Sequence, residues 1–182
     1  MRALTQATVV FLKNSEGNIC LAQKKKPIHH ENGEITYSLG TWNGYGGKKE
    51  AGDKTIEDTA IRELVQESGV TGEKKDLQLC GHVYFFWPNT NGEVADMEVY
   101  FYVLPLWQGE VKEGDEMGKP QFFAPQEIPY DEMMGGDRII IPKMLQGGMV
   151  EGTLHLGKLD ENGRPLFTEM KVQEISENLK MK

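Results

Sequence analysis

Two observations predict a mixed α/β domain. Short β-branched and aromatic runs recur along the chain, and they alternate with a few helical segments, one of which carries a clear helical period. No internal repeat or low-complexity linker separates them, so the expected organisation is one domain spanning residues 1–182.

The elements follow in chain order. Ala7 to Lys13 is apolar and β-branched and reads as a buried strand. Ser15 to Asn18 supplies turn residues, and Ile19 to Gln23 reads as the hairpin partner. Pro27 to Leu39 is polar, carries Asn32-Gly33, and reads as an exposed loop. Thr55 to Ser68 reads as a helix: Thr55 and Asp58 resemble a capping box, Ala60, Ile61, Leu64 and Val65 line one face, and Gly69 stops it. Leu77 to Trp87 and Val94 to Leu106 are expected as long strands around a turn at Asn89 to Gly92. Gln108 to Gly118 is an acidic loop, and Gln121 to Ala124 a short strand. Pro125 to Met133 and Arg138 to Leu145 are expected as short helices. Gly152 to Leu159 and Pro165 to Val172 bracket a hairpin turn at Asp160 to Gly163.

The bulk chemistry narrows the function. A formal net charge of −8 would repel a nucleic-acid backbone, so no polymer partner is expected. It would equally repel a nucleoside triphosphate unless divalent cations neutralise both sides. Cys20 and Cys80 lie apart in apolar surroundings and read as buried free thiols of a reducing compartment. The apolar run Ala7 to Leu12 is too short for a signal peptide, and no run approaches the roughly 18 residues of a membrane span. A cytoplasmic protein without a membrane partner is expected.

The chemistry concentrates between Trp42 and Val70. Gly44, Gly46 and Gly47 permit backbone that other residues resist and let a polyanion approach closely. Glu63, Gln66 and Glu67 are spaced i, i+3, i+4 on the following helix, roughly opposite the apolar face. Alone they read as a solvated face; beside the glycines they read as a site for magnesium shared with phosphate oxygens. Lys24 to Lys26 reads equally as a phosphate patch or as a solvated basic cluster. The adjacent His29 and His30 lack a third ligand and read as surface residues.

This segment resembles the Nudix box, G-x5-E-x7-R-E-U-x-E-E-x-G-U with U aliphatic. Gly47, Arg62, Glu63, Leu64, Glu67, Gly69 and Val70 fit the pattern. Asp53 stands where the family has Glu, eight residues rather than seven separate it from Arg62, and Lys54 looks inserted. Gln66 replaces the first acid of the Glu-Glu pair, an amide oxygen without negative charge. Trp42 to Lys48, Thr55 to Asp58, Asp115 to Met117, Gln126 to Pro129 and Ile141-Pro142 extend the likeness to the branch that hydrolyses oxidised purine nucleoside triphosphates such as 8-oxo-dGTP.

The resemblance implies an α/β/α sandwich with a mixed sheet, and hydrolysis to the monophosphate and pyrophosphate. The runner-up is another nucleotide diphosphatase, and a non-hydrolysing nucleotide-binding module is the reading from another class. It implies that the Gly46 carbonyl, Glu63, Gln66, Glu67 and Glu116 hold Mg²⁺, or Mn²⁺ in its place, with Glu63 and Glu67 catalytic. Arg62 is expected to tie loop to helix. Asn43 and Asp137 are expected to read the purine edge, with Met134 where a stacking tryptophan is usual. Phe85, Trp87 and Met97 read as apolar walls or as core. Thr8, Lys24, Tyr45, Gly47 and Lys48 align with positions near the nucleotide.

Overall fold

The computed structural model describes residues 4–30, 33–35, 38–86, 97–159 and 165–175. Its centre is strand β1 (Thr5–Lys13), whose Val9-Val10-Phe11-Leu12 run is apolar on both sides. Such a run belongs in the middle of a sheet covered on both faces. Strand β2 (Ile19–Gln23) returns antiparallel to it, and strand β7 (Met97–Leu104) runs parallel on its other side.

Two short strands, β3 (Ile28–His30) and β4 (Gly33–Ile35), pair only with each other. The loop expected over Pro27 to Leu39 therefore contains a hairpin, in which the β-branched Ile28 and Ile35 stand opposite one another. Strand β5 (Trp42–Asn43) pairs with β2. Strands β6 (Gln78–Phe86), β8 (Gln121–Phe123), β9 (Met149–Leu159) and β10 (Pro165–Ile175) complete the set. The main sheet runs β10-β9-β6-β7-β1-β2-β5, with β8 also on β2. The pairs β1–β7 and β6–β9 are parallel and the others antiparallel, which makes the sheet mixed. The turns expected at Asn89 to Gly92 and Asp160 to Gly163, and Trp87, lie outside the described residues.

Helix α1 (Ile56–Ser68) covers one face and helix α2 (Asp137–Leu145) the other. Val10, Leu12, Tyr102 and Leu104 meet Ala60 and Leu64 of α1; Phe11, Phe101 and Val103 belong to the core with Ile140, Ile141 and Met144 of α2. The α/β/α sandwich is the predicted one. The capping box is present, with the Asp58 N–H donating to Thr55 Oγ1 at 3.2 Å and the Thr55 N–H donating to Asp58 Oδ2 at 2.9 Å. Gly69 ends α1 with φ +75°.

Pro125 to Met133 is not one helix. It forms two 3-10 turns, Pro125–Glu127 and Tyr130–Glu132, because Pro129 drives Ile128 to extended backbone between them. Among the described residues no helix is long and apolar enough to cross a membrane.

Candidate active site

The inward face of α1 differs from the expected one. Ala60, Leu64 and Glu67, spaced i, i+4, i+7, are buried, while Val65 is 44% exposed. The acids therefore do not oppose the apolar face. Glu67 lies on it, and Glu63 borders it with its side chain 15% exposed.

The glycine segment explains how a carboxylate tolerates that place. Residues 45–49 run antiparallel to β1, with the Thr8 N–H donating to the Gly47 carbonyl at 2.9 Å and the Val10 N–H to the Tyr45 carbonyl at 2.6 Å. Gly46, between them, points the other way, and its N–H donates to Glu67 Oε2 at 2.7 Å. The glycines serve space rather than an unusual backbone: none of Gly44, Gly46 and Gly47 has a positive φ. A Cβ on Gly46 would lie 2.0 Å from the Thr8 carbonyl oxygen, and one on Gly47 would lie 2.5 Å from the Glu63 carboxyl.

Burial pushes the Glu67 carboxyl up to about 7, against the lowering pull of Lys24 and the Gly46 N–H, while the charges of Glu63 and Glu116 push the same way as burial. Lys24 Nζ stands 3.9 Å from Glu67 Oε1. Burial raises Glu63 too, with Arg62 opposing. Glu116 reaches this region on its loop, 56% exposed and paired with Lys26 at 3.1 Å. The lysine run thus divides: Lys24 points into the site, while Lys25 and Lys26 pair with Glu113 and Glu116.

A cleft opens beside these acids. Thr8, Lys24, Asn43, Gly46, Gly47, Lys48, Phe85, Met97, Met134 and Asp137, all singled out in the sequence, line it together. So do Ile28, Val99, Phe101 and Gly136, which were not. Val99 and Phe101 share a strand face with Met97, a signal the two-residue period carries; Ile28 lies in a polar stretch with no such signal. Trp42 ties β5 to the segment around Met133. It pairs beside Met133, stacks edge-on against Phe123 at 5.0 Å, and precedes Asn43.

Two buried side-chain oxygens without a hydrogen-bond partner among the described residues, Thr8 Oγ1 and Asp137 Oδ2, belong to cleft residues. Burial pushes the Asp137 carboxyl up to about 7, opposed by a hydrogen bond with the Met134 backbone.

Tyr45 is corrected. Strand alternation turns it to the α1 face, where it is fully buried and its hydroxyl meets Cys20 Sγ at 3.6 Å. Gln66, expected among the metal donors, lies at the edge of the site. It is exposed, and its amide oxygen accepts from Arg62 Nη1 at 3.2 Å. Its position, one step around the helix from Glu67, turns it outward. Both cysteines are buried free thiols. The side chains of His29 and His30 lie outside the described residues.

The sequence matches the NUDIX domain over residues 3–144. The chain belongs to the Nudix family. A Danio rerio oxidized purine nucleoside triphosphate hydrolase is 33% identical over 161 residues, covering 88% of this chain and 90% of that protein. The Mus musculus protein of the same name is 36% identical over 110 residues, 60% of this chain and 66% of that one. Among solved structures, the MutT protein of Bacillus halodurans superposes with a TM-score of 0.70 at 22% identity, covering 93% of this chain and 97% of its own. It shares the fold.

Both departures from the Nudix box now have physical form. Asp53 Oδ1 accepts from Arg62 Nε at 3.0 Å, and Oδ2 accepts from Arg62 Nη2 at 2.8 Å and from the hydroxyl of Thr59 at 2.9 Å. These bonds hold its carboxyl well below the usual range. Lys54 adds up to about 3.3–3.6 Å of chain, ample for the one methylene that Asp lacks. Arg62 also donates to Glu63 Oε1 and to the Lys48 carbonyl, both at 2.8 Å, so it ties loop to helix as expected. Gln66 occupies the outer edge of this Nudix network and leaves the inward acids unchanged.

Proposed function

We propose that this Nudix protein hydrolyses an oxidised purine nucleoside triphosphate, with 8-oxo-dGTP as the representative substrate, to the monophosphate and pyrophosphate. The observation that carries the reading is the pairing of two features in one cleft. Thr8 and Asp137 offer buried, unpartnered oxygens, and Gly46 and Gly47, which line the same cleft, adjoin Glu67 and Glu63. The names of the two curated relatives support the same substrate class.

The donor set fits a hard divalent cation: carboxylates of Glu63 and Glu67, and the Gly46 carbonyl. Among the described residues no three His, Cys, Asp or Glu side chains already form a metal-holding group, so Glu116 would join from its loop. We assign the cation as Mg²⁺, with Mn²⁺ as a substitute. When bound, it supplies charge neutralisation for the phosphate chain and acidity for a coordinated water.

The protein's own residues do the rest. Asn43 and Asp137 read the base edge, and an Asp137 carboxyl near neutrality both donates and accepts. Phe85, Met97 and Met134 flank the base, with Thr8 beside Asn43 and Asp137 at that end; Lys24, Gly47 and Lys48 face the sugar and phosphates. One carboxylate of the Glu63–Glu67 pair accepts the proton of water as the bond between the α- and β-phosphates breaks. Arg62 positions Glu63 without touching substrate. Residues 1–182 act as one domain, in the cytosol, on free nucleotides: the charge of −8 disfavours a nucleic-acid polymer.

Pyrophosphate release from a panel of oxidised and unmodified purine triphosphates, with Mg²⁺, tests this reading. The expected result is the highest kcat/KM on an oxidised purine. Equal efficiency on all would remove the oxidised-purine assignment. Release of phosphate or sugar phosphate from a nucleoside diphosphate compound would move the protein to the diphosphatases. Saturable binding without turnover would make it a binding module.

A further inference from the structure

The acidic loop that carries Glu116 is held from two sides. The Lys112 N–H donates to the Ser68 carbonyl at the end of α1 at 2.9 Å, and the Gly118 N–H donates to the Gln23 carbonyl at the end of β2 at 2.8 Å. Met117 is fully buried and bridges to Lys24. Gly114 lies against α1 itself: a Cβ there would stand 2.8 Å from the Glu67 carbonyl oxygen. The loop backbone therefore rests on the turn of α1 that bears the buried Glu67.

Lys25 closes this arrangement. Its N–H donates to the Glu116 carbonyl at 2.8 Å, and its Nζ donates to the Gly114 carbonyl at 2.8 Å and to Glu113 Oε1 at 2.9 Å. One residue thus reaches both ends of segment 113–116. Lys26, next in the chain, acts elsewhere: its Nζ donates to Glu116 Oε1 at 3.1 Å. Lys25 grips the loop, whereas Lys26 grips the carboxylate that the loop delivers.

We propose that Lys25 is a positioning residue for the cation site, clamping residues 113–116 against α1 so that the Glu116 carboxylate stands within reach of Glu63 and Glu67. The inference rests on the reading that Glu116 joins those two acids around a divalent cation. The charge of Glu116 already acts on both of them, pushing each carboxyl up. Lys26 works against the cation, because its ammonium competes for the same carboxylate. A lysine near a cation site repels the cation, so charge alone predicts tighter binding when either lysine is removed. Positioning predicts the opposite sign for Lys25 only.

The test measures Mn²⁺ affinity of the whole protein by electron paramagnetic resonance of the free ion, without nucleotide or turnover. The variants are Lys25→Met, Lys25→Arg, Lys26→Met, Gly114→Ala and Glu116→Gln. Glu116→Gln should weaken Mn²⁺ by about 10-fold or more. Lys25→Met should weaken it by about 5–10-fold. Lys25→Arg should return it to near the parent value, because Arg keeps donors for both the carbonyl and the carboxylate. Lys26→Met should tighten it by about two- to fivefold. Gly114→Ala, which changes no charge and pushes the loop off α1, should weaken it as Lys25→Met does.

Unchanged or tighter Mn²⁺ binding in Lys25→Met, beside weaker binding in Glu116→Gln, would overturn the proposal and leave the cation reading in place. Unchanged binding in Glu116→Gln would remove Glu116 from the cation site, and the proposal with it. If Gly114→Ala does not fold, the two exposed lysines still decide: equal losses in Lys25→Met and Lys26→Met contradict a role peculiar to Lys25.

Discussion

The two ends of the cleft are built on opposite plans. At the glycine segment and α1, the charges are answered within the protein: Arg62 alone reaches Asp53, Glu63, Gln66 and the Lys48 carbonyl, and the Gly46 N–H answers Glu67. At the other end, Thr8 Oγ1 and Asp137 Oδ2 are buried without partners. Buried polar groups are ordinarily satisfied, and on the proposed reading these two hold hydrogen-bonding capacity for the ligand. On the proposed reading, the contrast assigns rigidity to the end that does chemistry and recognition to the end that reads the base.

Breaking the tight end is expected to have the largest effect. Gly46→Ala drives a methyl group into the Thr8 carbonyl and should cost about 4 kcal/mol of stability, read by urea denaturation. A loss below about 1 kcal/mol would mean that the segment yields easily. Arg62→Met should cost about 2–3 kcal/mol, below the range for a fully buried pair because Arg62 stays 21% exposed. It should also lower kcat, since Glu63 loses its anchor; unchanged kcat would detach Arg62 from the site.

The base end should respond in affinity and in pH. Asp137→Asn is expected to raise KM by about 10–100-fold with little change in kcat. Its raised carboxyl also has a sign in stability: the folded state holds the proton up to about 7, whereas the unfolded chain releases it at the ordinary lower value. Stability therefore falls as pH rises from about 4 to about 7, and Glu67 adds to the same slope. Thermal melts without divalent cation should show a higher midpoint at pH 5 than at pH 8, with a shallower slope in Asp137→Asn. A midpoint that rises over that range would contradict the burial of both acids. The smallest effect belongs outside the cleft: Thr55→Ala removes the helix cap and should cost about 1 kcal/mol without altering KM.

The same contrast explains what was legible in the sequence. The reaction end is local. Arg62, Glu63 and Glu67 share one helix, the glycines lie a short loop before it, and fixed spacing makes the group legible in the sequence. Even there, periodicity chose the wrong inward face, because packing against β1 buries Glu67 in preference to Val65. On the proposed reading the base end is assembled from β1, β5, β6, β7 and the start of α2, so only long-range pairing brings Thr8, Asn43, Phe85, Met97 and Asp137 together. Tyr45 failed for a different reason: adjacency to Gly46 and Gly47 in the chain places it on the opposite face of a strand. Ile28 was hidden because its hairpin sits inside a polar stretch whose anchor, Ser38, is ten residues away.

The most direct test of this division is Glu67→Gln, which removes charge from the tight end and leaves the base end untouched. Pyrophosphate release from 8-oxo-dGTP should fall by about 10²–10⁴-fold. Affinity for 8-oxo-dGMP and the folded state should be retained. Near-normal turnover in that variant, or a loss of monophosphate binding as large as the loss of rate, would contradict the account.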